Sequence, residues 1–144
     1  MARRMALTMV LFAGCVWCLV LATRAESGEP APPPPFKPVA AADAVMTGQG
    51  LVFKELKNAV TVSKSPKRPK EIAHLSEALA ELSNVNIYHA KKDDYQKWAT
   101  QLRDIALELA AEAEKKPAPD ETKLKTLLSN LEKTCNSCHD VYQK

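Results

Sequence analysis

The stretch Leu124-Lys-Thr-Leu-Leu-Ser-Asn-Leu-Glu-Lys-Thr-Cys-Asn-Ser-Cys-His-Asp-Val-Tyr142 decides the fold. Its Leu124, Leu128, Leu131, Cys135, Cys138 and Tyr142 follow one another in alternating steps of four and three residues. An α-helix turns once in about 3.6 residues, so these side chains share one face. The same rhythm runs back along the chain. It is carried by Tyr95, Trp98, Leu102, Ile105, Leu109 and Ala113, and before them by Ile72, Leu75, Leu79 and Leu82, continuing to Asn86 and His89. The first stripe is Met46, Gln49, Phe53, Leu56 and Val60.

Proline separates these stripes. A helix interior rejects proline, which lacks an N–H and clashes with the preceding turn. Pro66 with Pro69 and Pro117 with Pro119 therefore mark breaks, and Lys91-Lys92-Asp93-Asp94 makes a softer one in which either aspartate can cap the next helix. Four helical segments follow, at 40–64, 69–90, 94–116 and 120–143. Short connections make successive helices antiparallel neighbours. The predicted fold is all-α, an up-down-up-down four-helix bundle.

Composition removes the competitors. Only 4 of 144 residues are glycine and 6% are aromatic, too few for the turns and strands of a β-sandwich or barrel. No glycine follows Gly50, so the body of the chain has no glycine loop to cradle a phosphate. Gly48 and Gly50 fall inside the first helical segment, where glycine weakens a helix. They mark either a frayed first turn or a close approach of a neighbouring helix or cofactor.

Residues 1–25 read as a signal peptide. Arg3 and Arg4 precede an apolar run from Met5 to Ala22, and Thr23-Arg24-Ala25 offers small residues for cleavage before Glu26. The alternatives are a retained membrane anchor and a lipoprotein cut before Cys15. Residues 26–39 form a proline-rich linker, since Pro30 to Pro38 favours an extended polyproline II strand. The net charge of +3 belongs to the leader, because losing Arg3, Arg4 and Arg24 leaves basic and acidic side chains equal. A nucleic-acid partner is thereby disfavoured. The expected location is the periplasm, or the membrane if the leader is retained.

Without the leader, Cys135 and Cys138 are the remaining thiols and Met46 the remaining methionine. Cys135-Asn-Ser-Cys138-His139 has the C-x-x-C-H spacing that attaches c-type haem. Cysteines three apart share a helix face and can form thioethers to the porphyrin vinyl groups. The histidine just after them can reach the iron. A thioredoxin-like pair needs a βαβ setting, and a structural zinc site needs further ligands that His74 and His89 cannot supply from one helix. A disulfide within one helix would constrain almost nothing. The expected cofactor is one covalent haem c with its iron.

A four-helix bundle ending in C-x-x-C-H resembles the cytochrome c′ family, the class II c-type cytochromes, over residues 40–144. The likeness is closest from Trp98 through Leu131 to Cys138-His-Asp-Val-Tyr-Gln-Lys144. Family members follow the haem histidine with two residues, then an aromatic and a basic residue. Tyr142 fits, whereas Gln143 displaces the basic residue to Lys144. The resemblance implies that His139 is the proximal iron ligand. It also implies two types of member: high-spin gas binders without a sixth ligand, and low-spin electron carriers with methionine near the start of the first helix. Met46 stands at that position. Its competing readings are a gap-filling core residue or displacement as ligand by His89.

Up-down-up-down topology brings the end of helix four beside the start of helix one, the end of helix two and the start of helix three. The expected haem pocket therefore contains Met46, Tyr88, His89, Tyr95, Trp98 and Tyr142. His74 lies toward the opposite end, beside Glu71 and Glu81, as a surface residue. The function expected is a periplasmic electron carrier, not an enzyme, with Met46 and His139 as axial ligands and redox proteins as partners. One alternative is a five-coordinate cytochrome c′ that binds nitric oxide or carbon monoxide. Another is a membrane-tethered haem subunit of a larger complex. The sequence leaves a homodimer open.

Overall fold

Among the described residues all regular structure is helical: α1 (Ala42–Thr61), α2 (Arg68–His89), α3 (Asp93–Ala113) and α4 (Glu121–Tyr142). The computed structural model describes residues 36–90 and 92–142. The expected signal peptide, most of the expected linker, Lys91, Gln143 and Lys144 lie outside them. Among the described residues no helix is long and apolar enough to cross a membrane.

Local chemistry places the ends. Pro69 sits in the first turn of α2, where its missing N–H removes no helical bond. Asp120 caps α4, its carboxylate accepting from the N–H groups of Thr122 (2.9 Å) and Lys123 (3.1 Å). The cap expected for α3 differs. Lys92 is its N-cap and makes no side-chain cap bond, and both aspartates fall inside the first turn. Their negative charge still favours the positive end of the helix dipole.

Side-chain bonds between helices fix their directions. Arg68, at the start of α2, donates to the Ala59 and Val60 carbonyls at the end of α1, each at 2.8 Å. The same guanidinium pairs with Glu121 at the start of α4, at 2.5 and 2.8 Å. Lys123 of α4 reaches Glu108 at 2.9 Å and the buried Glu112 at 3.4 Å, both late in α3. At the other end Asn86 of α2 meets Met46 of α1, and Tyr142 of α4 meets Asp94 of α3. The bundle is therefore up-down-up-down.

Leu56, Ile72, Leu79, Leu109, Leu124 and Leu131 are fully buried at its centre. The contact between α2 and α3 is the most extensive, and that between α1 and α4 the slightest. Alanines explain the first: Ala73 and Ala80 on α2 and Ala106 and Ala110 on α3 are buried and let the backbones approach. This also turns α2 from its expected setting. Ser76, Ser83 and Asn86 lie at the middle of its buried face, and Leu75 and Leu82 flank it half-buried. Across the slack seam, Lys57 and Glu132 form an exposed ion pair at 2.8 Å.

Arg68 holds three helix ends together far from Met46 and Cys138. Replacing it with alanine leaves two α1 carbonyls without their partner and frees Glu121. The expected loss is about 2–3 kcal/mol, with the half-exposed ion pair contributing no more than about 1 of that. For a domain of this size, thermal melting should fall by about 10 °C. Arg68 is also the main cause that holds the Glu121 carboxyl below its usual range. That contribution is present above the ordinary carboxylate range and is lost as pH falls through the depressed value. The melting difference between Arg68→Ala and the parent should therefore shrink in acid. An unchanged melting point at neutral pH would refute the clasp.

Candidate functional site

Where α1 and α4 part, a cavity of about 230 Å³ opens between them. It is lined from α4 by Cys135, Cys138 and His139, from α1 by Met46 and Phe53, and from α3 by Trp98. The helix supplies the α4 set: residues at i, i+3 and i+4 stand on one face. Cys138 is buried and Cys135 half-buried, and both are free thiols.

Burial pushes the Cys135 thiol up to about 11, with Cys138 beside it adding to the rise. Burial likewise raises Cys138, helped by the Asp94 carboxylate. Both are thus protonated at neutral pH. A catalytic or redox-active cysteine needs the opposite, an electropositive setting that favours thiolate. Neutral thiols facing an apolar cavity suit addition across a vinyl group, in which sulfur bonds to one carbon and hydrogen ends on the other.

The remaining wall suits a flat apolar macrocycle. Leu79, Ala99 and Leu102 join Phe53 and Trp98 in it. Gly50 also lines the cavity, and a Cβ built there would meet no atom within 4 Å. Gly48 instead faces Leu82 at ordinary contact distance, 3.7 Å, and α1 is helical through both glycines. Paired thiols, a neighbouring imidazole and an apolar slot are the requirements of covalent haem, and these residues meet them. The family model for cytochrome c′ matches residues 37–143. The chain belongs to the cytochrome c′ family. Membership implies covalently bound haem c with its iron. No curated protein and no solved structure matches the chain.

In this cytochrome c′ the residues expected around the haem fall into two sets. Met46, Tyr95, Trp98, Cys135, Cys138 and His139 line the one cavity. Tyr142 braces it from behind, its ring edge-on to Tyr95 at 5.4 Å and to Trp98 at 6.0 Å. The Tyr142 hydroxyl donates to Asp94 at 2.5 Å, and the Lys92 ammonium lies 5.6 Å from its ring centre. The bond to Asp94 pushes the phenol up to about 12 and holds the Asp94 carboxyl below its usual range. The start of α3 and the end of α4 are thereby tied beside the thiols.

Tyr88 and His89 are not among the lining residues. Tyr88 is 55% exposed and packs on Phe36, ring centres 4.7 Å apart. His89 is half-buried, and its Nε2 has no hydrogen-bond partner. His74 is exposed. The turn of α2 that centres its alanines and serines on the core accounts for this: Asn86 keeps its expected inward place, while Tyr88 and His89 fall outside the cavity wall.

Reading the sequence missed a polar relay at the cavity wall. Asn86 Nδ2 donates to Met46 Sδ at 3.1 Å and to Gln49 Oε1 at 2.7 Å, and Gln49 Nε2 donates to Ser83 Oγ at 2.9 Å. The available signal was three polar residues, Gln49, Ser83 and Asn86, standing at helical spacing on otherwise apolar faces.

Proposed function

We propose that this cytochrome c′ is an exported, periplasmic carrier of single electrons between redox proteins, and not an enzyme. Cys135 and Cys138 would hold the haem by thioethers, and His139 and Met46 would supply the two protein ligands to its iron. The observation that carries this reading is Met46 lining the same cavity as the two thiols and His139. Its sulfur is a soft donor, brought to the cavity from α1, which faces α4 across it. When bound, haem iron supplies the one-electron step, and a histidine–methionine pair raises its reduction potential.

The chain's own residues do the rest. Trp98, Phe53 and Leu102 provide an apolar wall that limits water at the metal. The α1–α4 seam leaves one side of the cavity near the surface, where a partner protein can approach. Met46 bound to the iron would also close the position that a diatomic gas would take.

The test is the spectrum of the purified haem protein. Ferric protein should show low-spin bands and the weak far-red band of sulfur ligation, and ferrous protein should take up carbon monoxide slowly or not at all. A high-spin spectrum with rapid uptake would replace the carrier with the gas-binding reading.

A further inference from the structure

Asn86 is 3% exposed and projects from the last turns of α2 onto α1. Its amide nitrogen is shared between Gln49 Oε1 and Met46 Sδ. The direction of these bonds follows from the far end of the relay. The Leu79 carbonyl can only accept, so the Ser83 hydroxyl gives it its proton, at 2.7 Å. Ser83 Oγ can then only accept, and Gln49 must present Nε2 to it. That turns Gln49 Oε1 toward Asn86, which must answer with Nδ2. A flipped Asn86 would set two carbonyl oxygens against each other. The Leu79 backbone thus decides that an N–H, and not an oxygen, faces the methionine sulfur.

This arrangement carries a penalty. Asn86 Oδ1 is buried with no partner. Leucine has nearly the same shape and would remove that atom, at the cost of the bond to Gln49 Oε1; leucine at both positions would leave neither amide atom to satisfy. Beyond its bond to Gln49, what the amide adds is a bond to Met46. A thioether sulfur has two lone pairs, and one can accept the N–H while the other remains for a metal. Methionine is otherwise among the most adaptable side chains. Anchoring its sulfur reduces the freedom that must be lost on coordination.

We propose that Asn86 is the positioning residue for the distal ligand, with Gln49 and Ser83 fixing the direction in which its amide points. The proposal rests on the reading of Met46 as an iron ligand. The Asn86 N–H holds the sulfur in one orientation. Holding the sulfur in place resists its displacement and so keeps the raised reduction potential that methionine ligation confers.

Imidazole is the probe, titrated into the ferric haem protein to compete with the sulfur. Asn86→Leu should bind it about threefold to tenfold more tightly, the equivalent of one lost hydrogen bond. The reduction potential should fall. Because that variant strands Gln49 Oε1, a second one, Gln49→Leu/Asn86→Leu, removes both amides together. It should retain the parent's melting point more closely and show the same gain in imidazole affinity. If both variants bind imidazole within about twofold of the parent at unchanged potential, less than one hydrogen bond is at stake and Asn86 only packs. A parent without the sulfur band, whose imidazole affinity is unmoved by Met46→Ala, overturns the ligand reading and this proposal with it. The parent's spectrum tells the two failures apart.

Discussion

Met46→Ala should turn a low-spin ferric spectrum high-spin, abolish the far-red sulfur band and lower the reduction potential. Alanine keeps α1 helical and removes the sulfur that Asn86 holds at 3.1 Å. The largest change should be in gas binding. While Met46 occupies the iron, an incoming ligand finds the site open only in a minor state. Such states commonly make up about 0.1–10% of molecules, so opening the site permanently should raise apparent carbon monoxide affinity about tenfold to a thousandfold. The parent and the variant should be compared as ferrous proteins, by both association rate and equilibrium. Equal affinities, with no sulfur band in the parent, would make Met46 a half-buried packing residue. Gas binding would then be the favoured function.

Denatured parent protein should keep its haem through acid–acetone extraction, and Cys135→Ala/Cys138→Ala should lose it completely. The two thiols lie on one face of α4 and line one cavity. Burial raises both thiols, which suits them poorly to thiolate chemistry. Each single variant should retain one thioether. Exported parent should have the mass of a chain beginning at Glu26 plus one haem. That measurement checks the leader and the attachment together. Parent protein that releases all its haem would overturn covalent attachment by these cysteines. A mass that includes residues 1–25 would favour the tethered reading.

Much of this was legible in linear order. The stripes through Leu56, Leu79, Leu109 and Leu131 name a side chain at the centre of each helix, because burial selects apolar residues at helical spacing. The proline pairs bound α2 and α4 because proline's missing donor acts locally, whatever surrounds it. Cys135, Cys138 and His139 were readable for the same reason: their shared face is a property of one helix. Topology then brought Met46, Tyr95 and Trp98 to the same end, and all three line the cavity.

The rest depends on how far each helix is rotated about its own axis. Apolar spacing identifies a broad inward face, and packing against two neighbours selects the setting within it. On α2 the small residues Ala73, Ser76, Ala80 and Ser83 took the centre, since they allow the closest approach to α3. That rotation kept Asn86 inward, as its place on the stripe predicts, but set Tyr88 against Phe36 and kept His89 from the cavity wall. Asp94 likewise offered a helix cap in sequence, yet its carboxylate holds Tyr142, 48 positions away. The sequence by itself determined the four helices, their breaks and the thiol–imidazole face. Only the tertiary structure decided which polar atom meets the Met46 sulfur, because a hydrogen bond's direction is set by partners on another helix.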